Sequence, residues 1–95
     1  MKNTNIENKL LATHISDNAN FVAACELGDS AMIISIIEAE MQKHKLFTPG
    51  SNKLKNDIIS MLQGKDRVPK SVGRNILQFV WYSRLSGTGY AVIKD

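Results

Sequence analysis

The chain has 95 residues, 43% of them hydrophobic, a formal net charge of +3 and a single cysteine. A chain of this length holds one domain with one modest core, and its apolar content excludes disorder throughout. One cysteine excludes an internal disulfide, and no apolar stretch reaches the ~20 residues that cross a bilayer, so no membrane partner is expected.

The polar start, Met1-Lys2-Asn3-Thr4-Asn5, has no apolar segment of the kind a secretory leader needs. A reducing, cytoplasmic setting is the resulting expectation. The charge is unevenly placed. Residues 1–42 carry two lysines against six acids, residues 43–84 carry nine cations against two acids, and residues 85–95 balance. The first stretch is therefore at −4 and the second at +7. Such asymmetry points to a basic face that meets DNA, RNA or an acidic protein; a wet, solubilising surface is the plain alternative.

In chain order, Thr4-Asn5-Ile6-Glu7 fits a capping box, and Ile6, Leu10, Leu11 and Ile15 recur at helical spacing. The spacing predicts a short first helix from Asn5 to His14, with the histidine at the end where a cation suits the dipole. Ser16 or Asp17 caps a second helix over 18–27, rich in small residues that let a neighbour approach closely. Gly28 fits the left-handed position that ends a helix, and Asp29 or Ser30 caps a third helix over 30–44. The run from Phe21 to Ala39 resembles the helix pair of an ankyrin repeat in its small residues before Gly28, the aspartate after it and the paired aliphatics. The Thr-Pro-Leu-His opening and a second copy are absent from the sequence, so the likeness implies a shared helix-pair geometry.

Ala31 to Ile37, Ala-Met-Ile-Ile-Ser-Ile-Ile, is the most apolar run in the chain. Its β-branched residues also suit a buried strand, but the helix formers that follow, Glu38 to Lys45, favour a helix. A run with no wet face is expected at the centre, covered on nearly all sides. Met32, Met41, Leu46 and Phe47 are expected in the core. Thr48-Pro49-Gly50 reads as a turn, after which Ser51 caps a fourth helix with Leu54, Ile58, Met61 and Leu62 on one stripe, ended by Gly64.

Lys65 to Lys70 is a basic connector. Pro69 suits the first turn of a fifth helix running from Ser71 to about Arg84. Val72, Ile76, Phe79, Val80 and Ser83 fall on one side of it and Lys70, Ser71, Arg74, Gln78 and Tyr82 on the other. By angle Trp81 projects between Lys70 and Arg74, away from the core; the alternative is that it closes the core against the first helix and the cations are merely wet, since tryptophan is usually buried in part. Gly73 costs about 1 kcal/mol against alanine and permits close approach. Ser86-Gly87-Thr88-Gly89 is a turn. Tyr90 to Ile93 is a short strand candidate, which needs a partner in residues 76–82 or across the axis of a homodimer.

The fold class expected is all-α, one domain of about five short helices, with a C-terminal strand or hairpin as the alternative. The candidate site is Arg67, Lys70, Ser71, Arg74, Gln78, Trp81, Tyr82 and Arg84. Cations hold phosphates, and exposed rings stack on bases. A helix-turn-helix over 52–84 would send Ser71, Arg74, Asn75 and Gln78 into the major groove. The alternative is an adaptor or inhibitor whose hot spot is Trp81 beside Arg74. No metal or cofactor is expected, because neither His14 nor His44 has a second histidine or cysteine at ligand spacing. Gly87-Thr88-Gly89 lacks the lysine of a phosphate loop, Cys25 reads as an inert hydrophobe, and no nucleophile–base pair is spaced for catalysis, so an enzyme is not expected.

Overall fold

Asn18, Asp29 and Thr48 each accept a backbone amide two or three residues ahead, and these three side chains set where three of the helices begin. The computed structural model describes residues 4–86, and side chains over 9–85. It contains α1 (Thr4–Ser16), α2 (Ala19–Leu27), α3 (Ser30–His44), α4 (Pro49–Leu62) and α5 (Lys70–Ser86). The fold is the expected small all-α bundle, and no strand occurs among the described residues. The Thr4–Glu7 side-chain box, the Gly87-Thr88-Gly89 turn and the Tyr90–Ile93 strand candidate lie outside the described residues. Residues 76–82 are helical, so they offer no strand edge for a hairpin. Their apolar members recur with the helical period, and Ile76 and Val80 are fully buried by it.

The fourth helix ends one residue earlier than expected, with Gln63 (φ 56°) and not Gly64 as its left-handed cap, and two further boundaries differ for local reasons. The first helix runs on through Ser16, whose hydroxyl donates back to the Thr13 carbonyl at 3.2 Å, so the next cap falls to Asn18, whose Oδ1 accepts from the Asn20 amide at 2.9 Å. The fourth helix starts at Pro49 because Thr48 is its cap and proline is pre-shaped for the first helical position. Ser51 consequently sits inside the helix and is buried. Gly28 ends α2 at φ 69°, as its place in the sequence predicts, and its amide reaches the carbonyls of Ala24 and Cys25.

The largest correction concerns the centre. The apolar run of α3 is not enclosed: Ile33 and Ile37 point inward, but Ala31, Met32 and Ser35 are exposed and Ile34 and Ile36 only half-buried. The element on which the bundle closes is α1. It packs against α5 and α4 and also touches α2 and α3. Leu11, Ala12 and Ile15 are wholly buried there. Helix α1 looks weak in sequence because its buried stripe is narrow, yet a narrow stripe touched from several sides buries more than a broad one touched from one. Met41 and Leu46 pack inward as expected, whereas Phe47, at 60% exposed, does not. Phe47 stands beyond Lys45, whose left-handed backbone (φ 56°) turns the chain outward after α3.

Candidate nucleic-acid interface

The position of α5 is set by two close approaches of backbone. At Gly28 a β-carbon would overlap the carbonyl of Val68, and at Gly73 it would overlap the carbonyl of Cys25. The connector before α5 is stitched to the turn between α2 and α3: the Val68 amide donates to Gly28 O at 2.9 Å, and the Ser30 amide donates to Asp66 O at 3.2 Å. Asp29 and Arg67 pair there as an isolated antiparallel bridge. The Arg67 guanidinium donates to the Leu27 carbonyl at 3.2 Å and so closes the end of α2.

This stitching corrects the helix-turn-helix expectation. The connector is long because it reaches across to α2 and α3. Helix α5 then lies on α1 and α2 and touches α4 only slightly, so 52–84 is not the packed pair that the motif requires.

The inner face of α5 is Gly73, Ile76, Val80 and Ser83, all buried. On its outer face, at about 100° per residue, Lys70, Trp81, Arg74, Leu85, Gln78, Ser71 and Tyr82 fall within an arc of about 120°. Tyr82 is half-buried and the other six are exposed. The Trp81 indole is 48% exposed, which places it in water rather than against α1. The Gln78 side chain donates to the Tyr82 hydroxyl at 3.0 Å, one turn along.

The cations of the site divide into two pairs. Lys70 and Arg74 stand in solvent and make no ion pair among the described residues. Arg67 and Arg84 are engaged. The Arg84 guanidinium donates to Asp17 Oδ1 at 2.6 Å and to Ser16 Oγ at 2.9 Å, and lies 5.1 Å from the centre of the Trp81 ring. It ties α5 to the end of α1 and lies over one face of the indole. No acid occurs anywhere in α5. Pro69 has no side-chain oxygen to cap the first turn, so the positive end of the helix dipole adds to Lys70 and Arg74.

Away from this face, Cys25 is sealed in the core as expected. Burial pushes its thiol up to about 12, with the charge of Glu26 adding to the effect, so it is no nucleophile. One juxtaposition has no forerunner in the sequence reading. His14 and His44, on α1 and α3, stack with ring centroids 3.5 Å apart. The one local signal was Glu40 standing four residues before His44, which puts both on one helix face. No helix among the described residues is long and apolar enough to cross a membrane. Comparisons with protein-family models, with curated protein sequences and with solved structures each return no match.

Proposed function

We propose that this chain is a small regulatory protein, not an enzyme, that binds nucleic acid through the outer face of α5 and the basic connector before it, residues 65–84. The observation that carries the reading is the exposed indole of Trp81 on the same face as the unpaired cations Lys70 and Arg74, which stand about three and two turns before it on a helix without acids. Phosphates are held by the cations, and bases stack on the ring. Gln78, Ser71 and Tyr82 supply polar contacts at the margin. Arg84 positions the ring more than it binds, since its guanidinium is already committed to Asp17. A stacking platform on one helix, without a partner helix to seat it in the major groove, favours single strands over duplex.

The test is fluorescence anisotropy with labelled single-stranded DNA, single-stranded RNA and duplex DNA, each at a low and a moderate salt concentration. Binding should weaken steeply with salt, and Arg74→Ala should weaken it for all sequences alike and lower the salt slope by about one. Absence of binding to all three probes at low salt overturns the reading.

A second reading is favoured by Leu85, which stands one turn from Trp81 and is 56% exposed. An indole and a leucine beside arginines also make an anchor for an acidic protein. A captured partner that survives nuclease treatment and is lost in Trp81→Ala selects this reading over the first.

A further inference from the structure

We propose that His14, Glu40 and His44 form a binding site for a divalent transition-metal ion of the zinc class, independent of the α5 face. One donor atom from each residue lies within 4.8 Å of the other two. Two imidazoles and one carboxylate are a ligand set that suits zinc and its neighbours, and three protein ligands leave coordination positions for water.

Two helices bring the set together. Glu40 and His44 are one turn apart on α3, with Glu40 Oε1 at 3.2 Å from His44 Nε2. His14 comes from the last turn of α1, where that helix meets α3. All three are half-buried, neither sealed from an ion nor free to wander. The other oxygen of the same carboxylate, Oε2, accepts from Asn18 Nδ2 at 2.8 Å. That bond fixes the carboxylate's orientation from outside, the task of an outer-shell partner in metal sites. The three residues line an open cleft of about 370 Å³ together with Asp17, Asn18 and Lys43, so an ion has a path from solvent.

The charges support the same reading. Imidazole binds metal only when neutral. Partial burial, and next the charge of the facing His44, hold the His14 ring below the usual histidine value, against the pull of Glu40 and Asp17. The carboxylate of Glu40 offsets part of an ion's charge. A tetrahedral ion with bonds of about 2.0–2.1 Å needs its donors about 3.3 Å apart; Glu40 Oε1 and His44 Nε2 already stand at 3.2 Å, while the His14 and His44 rings, stacked 3.5 Å apart and within 10° of parallel, must turn about their side-chain torsions and unstack to aim both lone pairs at one ion. The bound ion would clamp the ends of α1 and α3 beside the start of α2.

The experiment is calorimetric titration of the untagged, full chain with Zn²⁺, with Co²⁺ in parallel as a visible-absorption probe. One ion per chain should bind, and His14→Gln, Glu40→Gln and His44→Gln should each weaken binding about tenfold or more. Circular dichroism of each variant without metal reports whether it is folded. The histidine ring signals of the wild-type chain in proton–nitrogen NMR spectra should shift with Zn²⁺, a readout that needs no variant. Lack of saturable one-to-one binding overturns the proposal, as does wild-type affinity in either histidine variant or histidine signals unmoved by Zn²⁺.

Discussion

A β-carbon on Gly73 would overlap the carbonyl oxygen of Cys25, so α5 meets α2 backbone to backbone at that point. No flexible side-chain end is there to yield. Gly73→Ala should therefore cost about 3 kcal/mol, at the upper end of overpacking penalties. Gly64 is the control. It has a left-handed backbone (φ 71°) but open space around it, so Gly64→Ala should cost only about 1 kcal/mol. Urea denaturation checks both, through a fall in midpoint at unchanged slope.

The closing role of α1 gives a second contrast. Leu11→Ala removes a fully buried side chain from the helix most of the bundle touches, and should cost about 2–5 kcal/mol. Phe47→Ala removes a larger but exposed side chain and should change stability by about 0.5 kcal/mol or less. Equal losses in the two variants would contradict this account of the core.

Much of this architecture was legible in the sequence, and the misses share a cause. Helix α3 was placed at 30–44, its observed span, because Asp29 and the charges at its end are local signals. Counting positions around α5 puts Trp81 off the buried side but leaves open its closing against α1; its 48% exposure decides for solvent. What local patterns do not contain is which helix the others close upon. The apolar run of α3 suggested a centre, but hydrophobicity records what a residue prefers, not how many neighbours reach it. The His14–His44 stack and the Arg84–Asp17 pair were invisible for the same reason, since each joins residues that only the closed bundle brings together.

Cys25 should be unreactive in the native state. Its thiol is fully buried and held far from ionisation, so at mildly alkaline pH a disulfide reagent should react only through opening of the fold. The native rate should fall far below that of the urea-unfolded chain at the same reagent concentration, whichever of opening or chemistry limits it. A native rate close to the unfolded one would show an accessible thiol.

The lowered pKa of His14 predicts a pH dependence of stability. Burial and the charges of His44 and Lys43 depress it, opposed by Glu40 and Asp17. Below the ordinary histidine value of 6.5 the unfolded chain takes up a proton that the folded chain resists. The stabilisation is complete above that value and is lost as pH falls through the lower folded pKa. Stability should thus decline as pH falls below the ordinary histidine value of 6.5, and His14→Gln should flatten that decline. Denaturation midpoints across the range, for both chains, measure it. Identical slopes would contradict the account.

The central claim is that the exposed ring of α5 meets bases while the cations on the same face hold the phosphates, and the chain's one tryptophan reports on it directly. Titration with a single-stranded oligonucleotide should quench Trp81 emission, and the quench should disappear at high salt and need several-fold more oligonucleotide in Lys70→Ala/Arg74→Ala. Emission that stays unchanged while the oligonucleotide binds, or a quench indifferent to both lysine and arginine, would contradict it.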